Sequence, residues 1–263
     1  MSACFILITK GVLYMNNIRI AEQFTLPSKG KLYLEDVNPE VVLSSMKAKH
    51  EMLRLSATEE SHKIMAQIID DCIETDFGIS SYDLCLGDFQ FLLFKLRIVT
   101  FGNNYELLGK CPFCGFEQTY KIDLDSLETK EYTNSYEELK HLTLPIGGEE
   151  LLLTYQTPRM LDRINTKMRE YRKRHRDSDE NPTILYNIMS VIDEVNGEIP
   201  DAIELEEWIK ELPLADATAI VNRIDEMNNS IGVNLFVEDS CRICGTSFIV
   251  PFRVNNTFFR PNS

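Results

Sequence analysis

The sequence predicts an α+β fold in which a small strand-rich base is built from two distant cysteine hairpins. Three observations predict it. Two CxxCG pairs each sit between runs with strand-like alternation. Segments with helical periodicity fill much of the remaining chain. The pairs are also far apart, with 126 residues between Cys114 and Cys241 (241 − 114 − 1).

The totals fit a globular chain. There are 263 residues, 44% hydrophobic and 26% charged, enough for one large domain or two modest ones. The formal net charge of −14 disfavours a general nucleic-acid binder, because an acidic surface repels phosphate. No apolar run approaches the roughly 18 residues of a membrane span. The apolar stretch from Phe5 to Tyr14 is broken by Lys10 and Gly11 and lacks a small-residue cleavage signature, which argues against a signal peptide. Met15 is a second candidate start, so residues 1–14 are either a start-site extension or an edge strand. Seven cysteines, an odd count without a secretion signal, argue for a reducing compartment rather than a disulfide framework.

In chain order, residues 15–45 read as extended, with a Pro27–Gly30 turn, a Lys31–Leu34 run and a strand at Val41–Leu43. Ala48 to Leu55 is helical, with Met52 and Leu55 on one face. Thr58 is a candidate N-cap for a helix from Ser61 to Glu74, which carries Ile64, Ile68 and Cys72 on one face beside Met65 and Ile69. Gly87 to Val99 is apolar nearly all round and predicts a buried helix, with Lys95 and Arg97 near its end. Tyr105–Leu108 and Gln118–Ile122 are strand-like flanks of the first cysteine pair. Residues 127–140 read as a polar connector. Leu142–Pro145 and Leu151–Tyr155 predict a hairpin around Gly147-Gly148.

A helix is expected from Pro158 to about His175, and another after Pro182 carrying Ile184, Leu185, Ile188, Val191 and Ile192. Asn196-Gly197 is a two-residue turn signal. Helices at Ala202–Leu212 and Asp216–Asn228 precede strands at Val233–Val237 and Ser247–Val254, which flank the second pair. The expected organisation is a 1–14 extension, a 15–126 α+β part with the first knuckle, a mostly helical 127–232 insertion, and a 233–263 segment with the second knuckle.

Cys111-Pro112-Phe113-Cys114-Gly115 and Cys241-Arg242-Ile243-Cys244-Gly245 carry the chemistry. In such a knuckle a tight turn brings two thiolates together, and the glycine permits the positive φ that the turn needs. Two knuckles supply four soft thiolates in a tetrahedral array, the environment of a structural Zn2+ ion. All four positions are filled by protein, so the expected role is structural. A glutaredoxin-type redox motif would need a helix after the first cysteine, whereas Gly115 and a strand-like run follow it. An iron–sulfur centre is less favoured by this ribbon-like context.

Other clusters carry less. Lys167, Arg169, Arg172, Lys173, Arg174 and Arg176 form the most basic segment, either a contact for phosphate or an acidic protein, or a solvated helix end. Aromatics for base stacking are scarce there, with only Tyr171 in place. His50, His62, His141 and His175 match no catalytic spacing and read as surface residues, and no phosphate-binding loop occurs. Asp70, Asp71 and Glu74 are acidic neighbours without an implied role, and Trp208 is expected to pack beside Leu205 and Leu212. No catalytic constellation is found. Charges around the knuckles balance (Lys110, Lys121, Arg242 and Arg253 against Glu117, Asp123, Glu238 and Asp239), which disfavours a nucleic-acid ribbon module.

Several stretches resemble the hub and hub-assembly baseplate proteins of T-even-like contractile phages. They are Phe24-Thr25-Leu26-Pro27-Ser28-Lys29-Gly30-Lys31-Leu32-Tyr33, the run from Val37 through Ser56, the CPFCG at 111–115 after an apolar helix, and Val195-Asn196-Gly197-Glu198-Ile199. The resemblance covers most of residues 22–254. It implies a non-enzymatic assembly or structural role, other baseplate proteins as partners, and a place in host cytoplasm during assembly or in the virion tail. It supplies no catalytic residues.

Overall fold

The computed structural model describes residues 8–9, 12–13, 21–34, 37–56, 61–176, 180–251 and 258–259. The Thr58 cap, the Met15 start and the strand beyond Pro251 lie outside these residues. The fold is α+β, with helices packed around small antiparallel sheets.

The chain opens with two-residue strands β1 (Ile8–Thr9) and β2 (Val12–Leu13), followed by β3 (Ala21–Thr25) and β4 (Glu40–Ser44). β3 and β4 pair antiparallel from Ala21↔Ser44 to Thr25↔Glu40. The segment between them is a turn rather than the extended run expected at Lys31–Leu34. The cause is a buried carboxylate: Ser28 N–H donates to Asp88 Oδ1 at 2.9 Å, the Ser28 hydroxyl also donates to Asp88, and Tyr33 OH donates to Asp88 Oδ2 at 2.6 Å. An ion-forming group taken out of water needs these donors, and the loop curls to supply them.

Helix α1 (Ala48–Ser56) follows as expected, but Met52 and Leu55 face solvent while His50 and Arg54 are buried. His50 is therefore not a surface residue. Its Nδ1 accepts from Lys47 N–H at 3.0 Å and lies 3.5 Å from Cys72 Sγ. Burial, with Lys49 and Lys47 alongside, holds its pKa below the usual histidine value. Helix α2 (Ser61–Cys72) buries Ile68, Ile69 and Cys72, the face that its periodicity marks. Helix α3 (Leu86–Phe101) runs through the centre, with Leu92, Phe94 and Leu96 fully covered. Arg97 is covered as well: its Nε donates to the Phe258 carbonyl at 2.9 Å and one Nη to that of Gly102 at 3.0 Å.

Strands β5 (Asn104–Lys110) and β6 (Glu117–Asp123) form the first cysteine hairpin. The stretch expected as a polar connector contains the short strand β7 (Thr129–Lys130) and one helical turn, α4 (Tyr136–Leu139). β8 (His141–Thr143), β9 (Glu150–Leu153) and β10 (Ile192–Val195) make a three-stranded sheet with β9 in the middle. Between β9 and β10 lie α5 (Pro158–Arg174), N-capped by the Thr157 hydroxyl, and α6 (Thr183–Val191). After β10 the chain turns at Asn196 (φ 52°) and Gly197 (φ 80°). It then enters α7 (Ala202–Glu211) and α8 (Leu214–Ser230).

β11 (Gly232–Val233) pairs antiparallel with β7, and β12 (Phe236–Ser240) with β13 (Ser247–Pro251) forms the second cysteine hairpin. Two apolar clusters result. The first gathers β4, α2, α3 and the base of β5–β6, where Phe258 packs on Phe94 and Tyr105 at ring distances of 4.9 and 5.4 Å. The second gathers β9, α6, α7 and α8, with Trp208 and Leu212 at its margin and Leu205 inside. Among the described residues no helix is long and apolar enough to cross a membrane.

Candidate metal centre

Both cysteine pairs sit at hairpin tips of matching design. In the first, the ladder ends at Lys110↔Glu117, Cys111 N–H donates to the Phe116 carbonyl (2.9 Å) and Gly115 N–H donates to the Cys111 carbonyl (2.9 Å). In the second, the ladder ends at Ser240↔Ser247, with Cys241 N–H to the Thr246 carbonyl (3.1 Å) and Gly245 N–H to the Cys241 carbonyl (2.8 Å). Gly115 and Gly245 have φ of 74° and 71°, and an added Cβ at either would meet no atom within 4 Å. Glycine is therefore demanded there by backbone conformation, not by space.

The fold brings all four predicted residues together. Their sulfurs lie within 4.8 Å of one another. Cys111 and Cys244 Sγ are 3.7 Å apart, and Cys114 and Cys241 Sγ are 3.6 Å apart. A tetrahedron with metal–sulfur bonds of about 2.3 Å has edges of about 3.8 Å, so the two spacings match four-thiolate coordination. In each knuckle the first cysteine is buried and the second exposed.

Local hydrogen bonds prepare some of these thiols to ionise. The Thr246 hydroxyl and amide, as donors to sulfur, hold the Cys244 thiol down to about 6. The Cys244 amide lowers Cys241. The Phe116 amide lowers Cys114 too, but desolvation and the neighbouring thiols outweigh it and push that group up to about 12. Four adjacent thiolates repel one another, and a bound divalent cation removes that penalty. The donor set therefore fits a soft, tetrahedral metal ion.

The surroundings are aromatic. Phe248 stands edge-on to Tyr120 (5.9 Å) and to Phe113 (6.4 Å). Tyr120 is fully buried and its hydroxyl has no hydrogen-bond partner among the described residues; burial, then the nearby Cys111 and Cys241, raise its pKa. Leu108, Phe113, Phe236, Ile243 and Ile249 of the two hairpins are exposed.

The remaining candidates stay apart from this centre. Asp70 accepts from the Ser80 hydroxyl and the Ser81 amide, and Asp71 pairs with Lys49. In the basic stretch at the end of α5 and just beyond it, Arg174 pairs with Glu170 (3.6 Å), whereas Arg172, Lys173 and Arg176 are exposed without an ion pair among the described residues. Tyr171 donates to Glu180 at 2.7 Å and stacks on His175. Sequence reasoning did not single out Asp162. It is a buried carboxylate that contacts His62 Nδ1 (2.7 Å) and accepts from Lys63 N–H (3.0 Å) and Tyr82 OH (3.1 Å), tying α2 to α5. Nothing in the sequence around it marks that role.

In this α+β chain four cysteines from two hairpins far apart in sequence come close enough to hold a metal ion. The chain belongs to the T4 bacteriophage base plate protein family, which matches residues 19–260. No curated protein and no solved structure matches it. Membership makes this a phage baseplate protein of a structural family, and points to the virion tail and to contacts with other tail proteins.

Proposed function

We propose that this chain is a non-enzymatic structural or assembly protein of the baseplate hub, and that Cys111, Cys114, Cys241 and Cys244 hold one structural Zn2+ ion. The observation that carries the metal reading is the four-sulfur spacing at hairpin tips, set beside the family match over most of the chain. The protein acts through contacts with other baseplate proteins, in host cytoplasm during assembly and then in the virion tail. The two hairpins expose Leu108, Phe113, Phe236, Ile243 and Ile249, apolar side chains available to such contacts.

Within this reading, residues 127–232 are an insertion between two halves of a zinc-ribbon-like base. Its support is the β7–β11 pairing, which sets Thr129 and Lys130 beside Val233 and Gly232 and so joins the two ends of the insertion. The metal then pins residues 111–114 to residues 241–244 beyond that junction.

Metal analysis of the purified chain by mass spectrometry tests the proposal. The expected result is one zinc per chain, lost in Cys241→Ser. Iron with a visible charge-transfer band would replace zinc by an iron–sulfur centre. Absence of metal with reactive thiols would overturn the structural site. Co-purification with tail assemblies from infected cells tests the baseplate role, and salt-dependent DNA affinity without such complexes would overturn it.

A further inference from the structure

The two knuckles share the CxxCG pattern but differ in what each sends across to the other. Gln118 stands seven residues after Cys111, and the matching position after Cys241 is Phe248. Gln118 is buried, and its side chain meets the backbone on both sides of Cys241. Its Nε2 donates to the Ser240 carbonyl at 3.1 Å, and its Oε1 accepts from the Arg242 amide at 2.9 Å. Phe248 returns only an apolar ring, set edge-on against Tyr120 and Phe113.

We infer that Gln118 is a positioning residue that seats the second knuckle on the first before the metal arrives, so that Cys241 is aimed by the protein rather than by the ion. This rests on the proposed metal site and deepens it. A primary amide suits the task, because one planar group offers a donor and an acceptor side by side. Ser240, the last residue of the ladder, and Arg242, in the turn beyond it, flank the ligand, and without Gln118 the Ser240 carbonyl and the Arg242 amide would lose these partners inside the site. The clamp fixes the height and rotation of the second turn, while the Phe248 ring fills the space beside it. In many small zinc modules the ion itself organises the ligands, and binding is folding. Here the register of the two turns is already set by a side chain. The knuckles are therefore not interchangeable: the first is the template and the second is docked upon it.

Groups that orient metal ligands from outside the coordination sphere typically change affinity by about 10–100-fold when removed. Gln118→Met keeps length and bulk but loses both hydrogen bonds. The test uses the full chain, with zinc alone as the probe. Zinc affinity is measured by chelator competition, and hydrogen exchange of the Arg242 amide is followed in the metal-free protein. The expected result is one zinc in both proteins, affinity about 10–100-fold weaker in Gln118→Met, and an Arg242 amide protected in metal-free wild type but not in the variant. A packing role alone would move neither readout, since methionine preserves the volume. Equal affinity in the two proteins overturns the inference while the metal site stands. So does an unprotected Arg242 amide in the metal-free wild type, an observation that needs no variant. Failure of the wild type to bind zinc, read first from stoichiometry, overturns the site and the clamp together.

Discussion

Replacing Asp162 by alanine should weaken the whole fold, because one carboxylate fastens the N-terminal helices to the long helix α5. Three groups meet it, and they do not count equally. Tyr82 OH, at 3.1 Å, is a buried donor to a charged acceptor, a bond worth about 1.5–3 kcal/mol. Lys63 N–H, at 3.0 Å, belongs to the first turn of α2, where losing a capping acceptor costs about 1 kcal/mol. His62 is only half-buried and regains water, so its contact adds little. The loss expected for Asp162→Ala is therefore about 3 kcal/mol. Asp162→Asn keeps one acceptor oxygen and should lose about half as much. Urea unfolding followed by Trp208 fluorescence at neutral pH measures both, with midpoints compared at a common slope. Trp208 is the sole tryptophan and lies at the edge of the second apolar cluster, on the far side of the junction, so it reports on coupling across it. A loss below about 1 kcal/mol for the alanine variant would refute the assignment of Asp162 as the fastener.

Three further outcomes follow from the same geometry. Chelating the metal should loosen the cysteine hairpins but leave helices α6, α7 and α8 intact, since the second apolar cluster takes no residue from either hairpin. Circular dichroism should keep its helical signal while amides near Cys111 and Cys241 begin to exchange, and global loss of helix would contradict this. Gly232→Ala should destabilise by about 2–4 kcal/mol, because φ is +102° and the new Cβ would lie 2.6 Å from the Gly87 carbonyl oxygen at the start of α3; thermal melting measures it, and a neutral result would remove the close approach as a constraint. Burial raises the pKa of Asp88 in the folded chain above the ordinary carboxylate value. The stabilising effect of its folded-state proton is thus complete below the unfolded pKa and fades as pH rises toward the folded one, so the stability of wild type relative to Asp88→Asn should fall with rising pH across that interval, and a difference independent of pH would refute it.

Much of this molecule can be read in order along the chain. The periodicity of Ser61–Cys72 identifies the face that α2 buries, and the apolar run in α3 announces a central helix, because side chains three and four residues apart share a face whatever lies beyond. Asn196-Gly197 marks a turn for an equally local reason, the positive φ of both residues. The cysteine pairs are also local signals, since Gly115 and Gly245 report the turn that converges two sulfurs. The Lys31–Leu34 run misleads because its conformation is decided by Asp88, more than fifty residues away.

What the sequence determines by itself is therefore the set of local elements, the two knuckles and their donor chemistry. Only the tertiary structure decides that Cys111 faces Cys244, that Gln118 brackets Cys241, that Asp162 joins α2 to α5, and that His50 and Arg97 are interior. Each turns on a single polar side chain, and for Cys111, Gln118, Asp162 and Arg97 a partner lies far along the chain. A lone polar residue leaves no periodic trace, and its burial is favourable only once folding brings that partner within hydrogen-bonding reach.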